Sequence, residues 1–418
     1  MNAIFILPKP YLYYGVATQT TDTNIDMPYD YDLIIVGAGP AGSTTARLAT
    51  DAGLRVLLID KRQELGAPIQ CSGAVSRHAL EEVDVEILDE FIHEPIYGFG
   101  IYDSEGQKTT IDYRQLKGDE YGPGEGRKPL GYVVDRRRFD RCLLTQAERA
   151  GATVQLKTEG LGYTPATDNS HCTVHLRHYN RTYDLTCRVL VGADGLQSQV
   201  GKWAGLATHI KLTELASCLQ YIVDGVETEG LLEIITGDEW APGGYAWVFP
   251  KGHGYAEVGL GVIRTKTELT AQQHLDRFLE GRLFKERFKG ARILEVQGGG
   301  VPLAAPLKKQ YADNLILVGD AARHVNPITG GGIHTALSGG RIAADFLARL
   351  LAEPEQAASD AALSGYQEAW LDALGNKMWK LYHAKTDVFK EKDVSIRDER
   401  LYATMASYFS PDSEYKKI

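Results

Sequence analysis

Apolar and polar positions alternate along this chain in two distinct rhythms. The run YDLIIV at residues 31–36 is continuously apolar after its first two positions, as in a strand buried on both faces of a parallel sheet. The glycine turn GAGPAG follows, residues 41–52 have helical character that stops at Gly53, and LRVLLID at 54–60 reads as a second buried strand. Residues 135–150 place Phe139, Leu143, Leu144 and Ala147 on one helical stripe that ends at Gly151, a helix suited to covering a sheet. From Cys172 to Val191 the chain alternates, turns at Asn180 and feeds another buried strand. Short alternating pieces and many glycines across 63–130 predict loops and edge strands of a second region, and 206–265 is again strand-like. NLILVGD at 314–320 precedes a glycine-rich turn and a helical stretch over 332–353, and the remainder is helical.

These elements predict an α/β fold. A Rossmann-type dinucleotide-binding domain is assembled from the separated segments 30–75, 130–205 and 295–350. An antiparallel-sheet substrate domain takes 76–129 and 206–294, and residues 351–418 form a C-terminal helical region. Residues 1–29 read as a disordered extension, with Met27, just before the first strand, as an alternative start. With 418 residues, 44% hydrophobic and 24% charged, the chain has the composition of a folded protein, and no apolar run reaches the roughly 18 residues of a membrane span. A net charge of −10 opposes a phosphate backbone, so nucleic acid is not expected as a ligand. The five cysteines form no CxxC pair, which points to a reducing, cytoplasmic compartment and to no metal framework.

The chemistry begins at Gly37-Ala38-Gly39-Pro40-Ala41-Gly42. Gly37 permits the tight turn, Gly39 lets the backbone approach a pyrophosphate, and Gly42 lets helix and strand pack closely. Asp60, with Lys61 beside it at the end of the second strand, is placed to accept ribose hydroxyls. Asp194, in the VGADG turn, and Asp320, in the segment Val318–Ile333, extend this contact far along the chain. Gly330, Gly331, Gly332 and Ile333 open a helix whose unpaired N–H groups would face an electron-rich ring edge. For a flavin that edge becomes negative on reduction, and the helix end would stabilise it by about 1 kcal/mol.

The first glycine motif, the RxxFD stretch at Arg136, the ADG turn, the GD followed by PxxGGG, the YxWxFP segment at 245–250 and the CSG at Cys71 together resemble the geranylgeranyl reductase family. Those enzymes are FAD-dependent, similar in fold to p-hydroxybenzoate hydroxylase, and saturate double bonds of prenyl chains. The resemblance spans about residues 30–350. It implies that FAD is the cofactor, that the loop carrying Cys71, Ser72 and Gly73 reaches the flavin with Cys71 gating or redox-active, and that Arg136 contacts the cofactor. The implied catalytic set is Cys71, Tyr245, Trp247 and Gly331. Two positions depart from the family pattern: Arg323 where many relatives carry glycine, and Gly201 where many carry arginine. The electron donor would be NADPH or reduced ferredoxin, since no second GxGxxG unit is present. A flavin monooxygenase of the aromatic hydroxylase class, a quinone-linked flavoprotein and a lipid-binding protein with a structural FAD are the rival readings; the chain lacks the cysteine set of an iron–sulfur cluster.

Tyr245, Trp247 and Phe249 recur with period two, so on a strand they share one face, either as an ordinary core face or, on the family pattern, as a platform for an isoprenoid lipid. His324 and His334 flank the glycine cluster and are either proton donors or solvated residues at a helix start. The cysteines other than Cys71 read as filler. The stretch KMWKLYHAKTDVFKEK, with Met378, Trp379, Leu381, Tyr382, Val388 and Phe389 at roughly helical spacing, suits either a peripheral membrane contact or packing onto the body of the protein.

Overall fold

The computed structural model describes residues 28–413 apart from 169 and 354. The expected extension up to residue 27, with the alternative start, lies outside the described residues. Tyr29, counted with that extension, is instead buried, its ring flanked by the guanidinium groups of Arg55 and Arg188.

An eight-stranded sheet is built around Tyr31–Val36, which runs parallel to Val56–Asp60 on one side and to the end of Arg181–Gly192 on the other. All three carry apolar runs because both faces of the sheet are covered, one by helices and the other mainly by the strands Thr158–Pro165 and Cys172–His178. Pro40–Asp51 packs against Ile333–Leu350 and Arg136–Ala150, joining three distant segments in one layer. The predicted turn at Asn180 is present, between Cys172–His178 and Arg181–Gly192.

The second sheet has seven strands in the order Arg292–Pro302, Leu215–Asp224, Tyr255–Ile263, Tyr245–Pro250, Leu231–Ile235, Gly98–Tyr102 and Lys108–Asp112. Its pairs are antiparallel except Leu231–Ile235 with Gly98–Tyr102, which is parallel. Residues 295–302, expected in the dinucleotide domain, belong to the edge strand of this sheet, where Arg292–Pro302 pairs with Leu215–Asp224. One face, including Val248, Val258, Leu260 and Val262, packs on the helix Ala271–Glu280 through Leu275 and Phe278. The opposite face carries Tyr245, Trp247 and Phe249, with Gly261, Gly259, Cys218 and Gln220 in register beside them. A three-stranded sheet of Ala74–Ser76, Gly131–Val134 and Ile92–Ile96 contributes Val133 and Ile96 to the cluster around Trp247 and Phe249.

The C-terminal region folds as Asp360–Trp370, a π-helical turn, Asn376–Lys390 and Val394–Phe409. Of the two uses open to the amphipathic stretch, its apolar side serves packing: Met378, Leu381 and Val388 are buried in the main core.

Candidate functional site

A cavity of about 1100 Å³ runs from the glycine turn of the first sheet to the aromatic face of the second. It is slightly larger than the roughly 300–1,000 Å³ typical of small-molecule sites. At one end, Gly37 turns the chain at φ +107°, a conformation that glycine adopts without strain; a Cβ there would stand 2.3 Å from the Ala193 carbonyl oxygen. Gly42 lets the helix close on the strand, since its Cβ would lie 1.9 Å from the Gly37 oxygen. A Cβ on Gly39 would meet nothing within 4 Å, leaving open backbone at the start of the helix Pro40–Asp51. Such a bare helix N-terminus on a cavity wall fits the pyrophosphate of a dinucleotide.

The carboxylates here divide into those that hold the loops and one that is free. Asp60 accepts from the N–H groups of Ala38 and Arg62 at 2.9 and 2.8 Å, so it fixes the turn while bordering the cavity. Asp194 accepts from the Ser198 hydroxyl and from the Gln199 and Val200 N–H groups, fastening the start of the helix Gln199–Trp203. Asp320 borders the cavity and its carboxylate accepts no hydrogen bond among the described residues; burial pushes its pKa up to about 6, against the pull of the Arg136 guanidinium. An acceptor of this kind fits a ribityl hydroxyl. Arg136 is held by Asp140 at 3.0 Å through two hydrogen bonds.

Gly330, Gly331, Gly332 and Ile333 form the cavity wall where the helix Ile333–Leu350 begins, and Lys61, Ala41, Cys71 and Ser72 border it as well. Gly73 and Gly42 do not. Gly73 is a packing glycine, whose Cβ would lie 2.3 Å from the Val134 oxygen. Cys71 accepts weakly from the Gly73 N–H at 3.4 Å. Neither of the two departures from the family pattern borders the cavity. Arg323 takes a left-handed φ of 60° and reaches away to the carbonyl groups of Ala207 and His209. At Gly201 a Cβ would lie 2.4 Å from Thr208, so an arginine has no room.

Tyr245, Trp247 and Phe249 form the cavity floor, and the Tyr245 hydroxyl donates to the Thr329 carbonyl in the glycine-rich turn. Burial, followed by the charges of Cys218 and Cys71, raises its pKa, so the hydroxyl keeps its proton at neutral pH. Sequence reasoning missed part of this floor. Cys218, read as filler, lies in it beside Gly261, and burial pushes its thiol up to about 12. Gln220 borders the cavity and donates to Gln297 at 2.6 Å. The roof was missed as well: Leu401, Thr404, Met405, Tyr408 and Phe409, from the last helix, border the cavity. The Phe409 ring packs directly on Phe99, with centroids 4.1 Å apart, and Asn326 donates to the Tyr408 hydroxyl at 2.8 Å. The strand alternation marked Cys218 and Gln220 as a pair on one face, which is the signal that could have found them.

The two histidines lie in different surroundings. His324 is fully buried, stacks on Trp370 at 4.4 Å and bonds to Gln310 at 2.7 Å, and burial lowers its pKa to about 3. His334 borders the cavity, and burial lowers it to about 4. Both are therefore uncharged at neutral pH; His324 lies off the cavity wall, whereas His334 stands on it, half-buried.

Residues 30–225 match the FAD binding domain model, and residues 214–301 match the geranylgeranyl reductase catalytic domain model. The chain is 36% identical over 383 residues to the digeranylgeranylglycerophospholipid reductase of Methanothrix thermoacetophila, covering 91% of this chain and 92% of that one. It is 39% identical over 319 residues to the protein of the same name from Methanosarcina acetivorans, covering 75% and 74%. A crystal structure of a geranylgeranyl bacteriochlorophyll reductase-like protein from Thermoplasma acidophilum superposes with a TM-score of 0.78 at 29% identity, covering 92% and 97% of the two chains. The open glycine turn, the unpaired Asp320 and the aromatic floor thus have a common explanation: this chain belongs to the geranylgeranyl reductase family of FAD-dependent oxidoreductases.

Proposed function

We propose that this protein saturates isolated carbon–carbon double bonds in the prenyl chains of a geranylgeranyl-type glycerophospholipid or prenyl diphosphate. The observation that carries the reading is the continuity of one cavity from the FAD cradle to the floor of Tyr245, Trp247 and Phe249. FAD, when bound and reduced, supplies a hydride to one alkene carbon. The protein's part is to orient the chain, exclude water and let a proton reach the other carbon.

The residues suit those tasks. Trp247 and Phe249 are buried with Ile96 and Val133 around them, an apolar bed for an extended hydrocarbon. Aromatic faces also stabilise positive charge at a carbon being protonated, by roughly 1–2 kcal/mol where water is excluded. The helix Val394–Phe409 closes the bed from above, and the Tyr245 hydroxyl and Cys71 thiol on the cavity wall are the candidate carriers of the proton.

The reductant in this reading docks transiently, as NADPH or as reduced ferredoxin. The enzyme takes its substrate at a membrane surface, with the C-terminal helices nearest the lipid; no helix among the described residues is long and apolar enough to cross a membrane. The test is anaerobic. Yellow protein is reduced chemically, given a prenyl glycerophospholipid or a prenyl diphosphate, and the products are weighed. A gain of two hydrogens per double bond with reoxidation of the flavin supports the reading. A hydroxylated product formed only with oxygen, or a flavin that stays reduced, would overturn it.

A further inference from the structure

The roof of the cavity and its aromatic floor are both fastened to one turn. We propose that Asn326 is a positioning residue for the reduction: through the Tyr408 hydroxyl it holds the roof helix, and with it the prenyl chain beneath, in register with the turn that borders the FAD cradle. This deepens the reading of the cavity as a prenyl-reducing site and rests on it.

Asn326 is fully buried and spends its backbone and its side-chain oxygen inside the turn. Its N–H donates to the Gly331 carbonyl at 3.0 Å, and its own carbonyl accepts from the Gly330 N–H at 2.8 Å. Its Oδ1 accepts from the N–H groups of Ile328 and Thr329 at 2.9 and 3.1 Å. With the oxygen committed inward, Nδ2 is turned to the roof, where it donates to the Tyr408 hydroxyl at 2.8 Å. The residues it closes, from Pro327 to Gly332, border the cavity, and so does Tyr408.

Other ties of the helix Val394–Phe409 lead to the seven-stranded sheet and its loops. Arg397 pairs with Asp238 at 2.6 Å, the hydroxyls of Tyr402 and Thr109 meet at 2.5 Å, and Phe409 packs on Phe99. The Tyr408 bond leads instead to the dinucleotide side. The floor reaches the same turn from below, since the Tyr245 hydroxyl donates to the Thr329 carbonyl. A chain lying between roof and floor is therefore aligned with the FAD cradle only as well as the roof is aligned with this turn. Losing the hydroxyl would leave a buried amide N–H without its acceptor, so the bonded arrangement is the favoured one.

The experiment uses FAD-loaded enzyme and two probes: a fully saturated prenyl alcohol, which binds without reacting, and a reducible prenyl lipid for single-turnover reoxidation of the reduced flavin without oxygen. Tyr408→Phe keeps the ring and removes the hydroxyl. Asn326→Ser keeps a hydroxyl that can accept from the turn but is too short to reach Tyr408. In both variants the reoxidation rate is expected to fall about tenfold, the cost of misalignment in an oriented site, while the dissociation constant of the saturated alcohol, measured by calorimetry, changes by less than about twofold. The double variant should be no slower than the slower single one, because both remove the same bond. Amide exchange supplies a reading independent of turnover: in the wild type the alcohol should slow exchange over both 394–409 and 328–331, and in either variant only over 394–409. Rate and affinity lost together, single effects that multiply in the double variant, or an alcohol-protected turn in Tyr408→Phe would overturn the proposal. A wild type in which the alcohol protects the turn through Tyr408, yet no prenyl chain is reduced, would remove the reductase reading and leave the coupling standing.

Discussion

The indole of Trp247 lies across the backbone of Gly259 on the neighbouring strand: a methyl at Gly259 would stand 2.6 Å from both Cε2 and Cζ2. The flat floor of the cavity therefore depends on an absent side chain as much as on a present one. Gly259→Ala must displace the ring, and prenyl reduction is expected to fall about tenfold or more, the cost of misplacing a substrate in an oriented site. Flavin content, read from visible absorbance, should stay that of the wild type. Trp247→Ala should give the same pattern, and unchanged turnover in both variants would remove the ring from the mechanism.

Gly42 is the converse case, where the missing Cβ serves the cofactor. Its replacement by alanine pushes a methyl to 1.9 Å from the Gly37 oxygen, which forces the turn open. Overpacking of this kind costs about 1–3 kcal/mol. The expected outcome is a protein with a lowered melting temperature that is purified with little or no bound FAD. Wild-type flavin occupancy would refute this account of the turn.

The buried His324 makes stability depend on acid. In the unfolded chain it protonates near pH 6.5, whereas in the folded protein burial delays protonation to about pH 3. Its contribution is complete above about pH 6.5 and is lost as pH falls toward 3, at up to ~1.4 kcal/mol per pH unit while only the unfolded state binds the proton. His334 adds a dependence of the same sign down to about pH 4. Urea midpoints measured from pH 7 to 5 should fall, and His324→Gln should flatten the slope by about one proton.

The last helix is fastened over the cavity by Arg397 and Asp398. Arg397 is buried and pairs with Asp238 at 2.6 Å, while Asp398 accepts from the Asp238 N–H at 3.1 Å. Removing the guanidinium with Arg397→Met should cost about 2 kcal/mol, the scale of a hydrogen bond to a charged group. Amide exchange across 394–409 should accelerate and bound prenyl lipid should leave faster, while strands such as Tyr31–Val36 keep wild-type protection. Uniform loss of protection over the whole chain would mean that the contact supports global stability rather than the roof.

Some of this protein was written in local order. The glycine spacing at Gly37, Gly39 and Gly42 defined a turn wherever the chain folded, because close backbone approach excludes any Cβ. The alternation in Tyr245-Ala246-Trp247-Val248-Phe249 fixed three rings to one face, because successive side chains on a strand point to opposite sides. What that face meets could not be read from it. Gly259 joins the rings through the hairpin with the next strand, Cys218 and Gln220 join them only because an earlier strand pairs with the far side of that one, and the roof comes from a helix about 150 residues later. The burial of His324 against Trp370, and of Lys385 against Leu303, was equally invisible. Local pattern determines direction within an element, whereas burial and the state of a charge depend on which distant surface closes over it, and that was decided only by the packing of the whole chain.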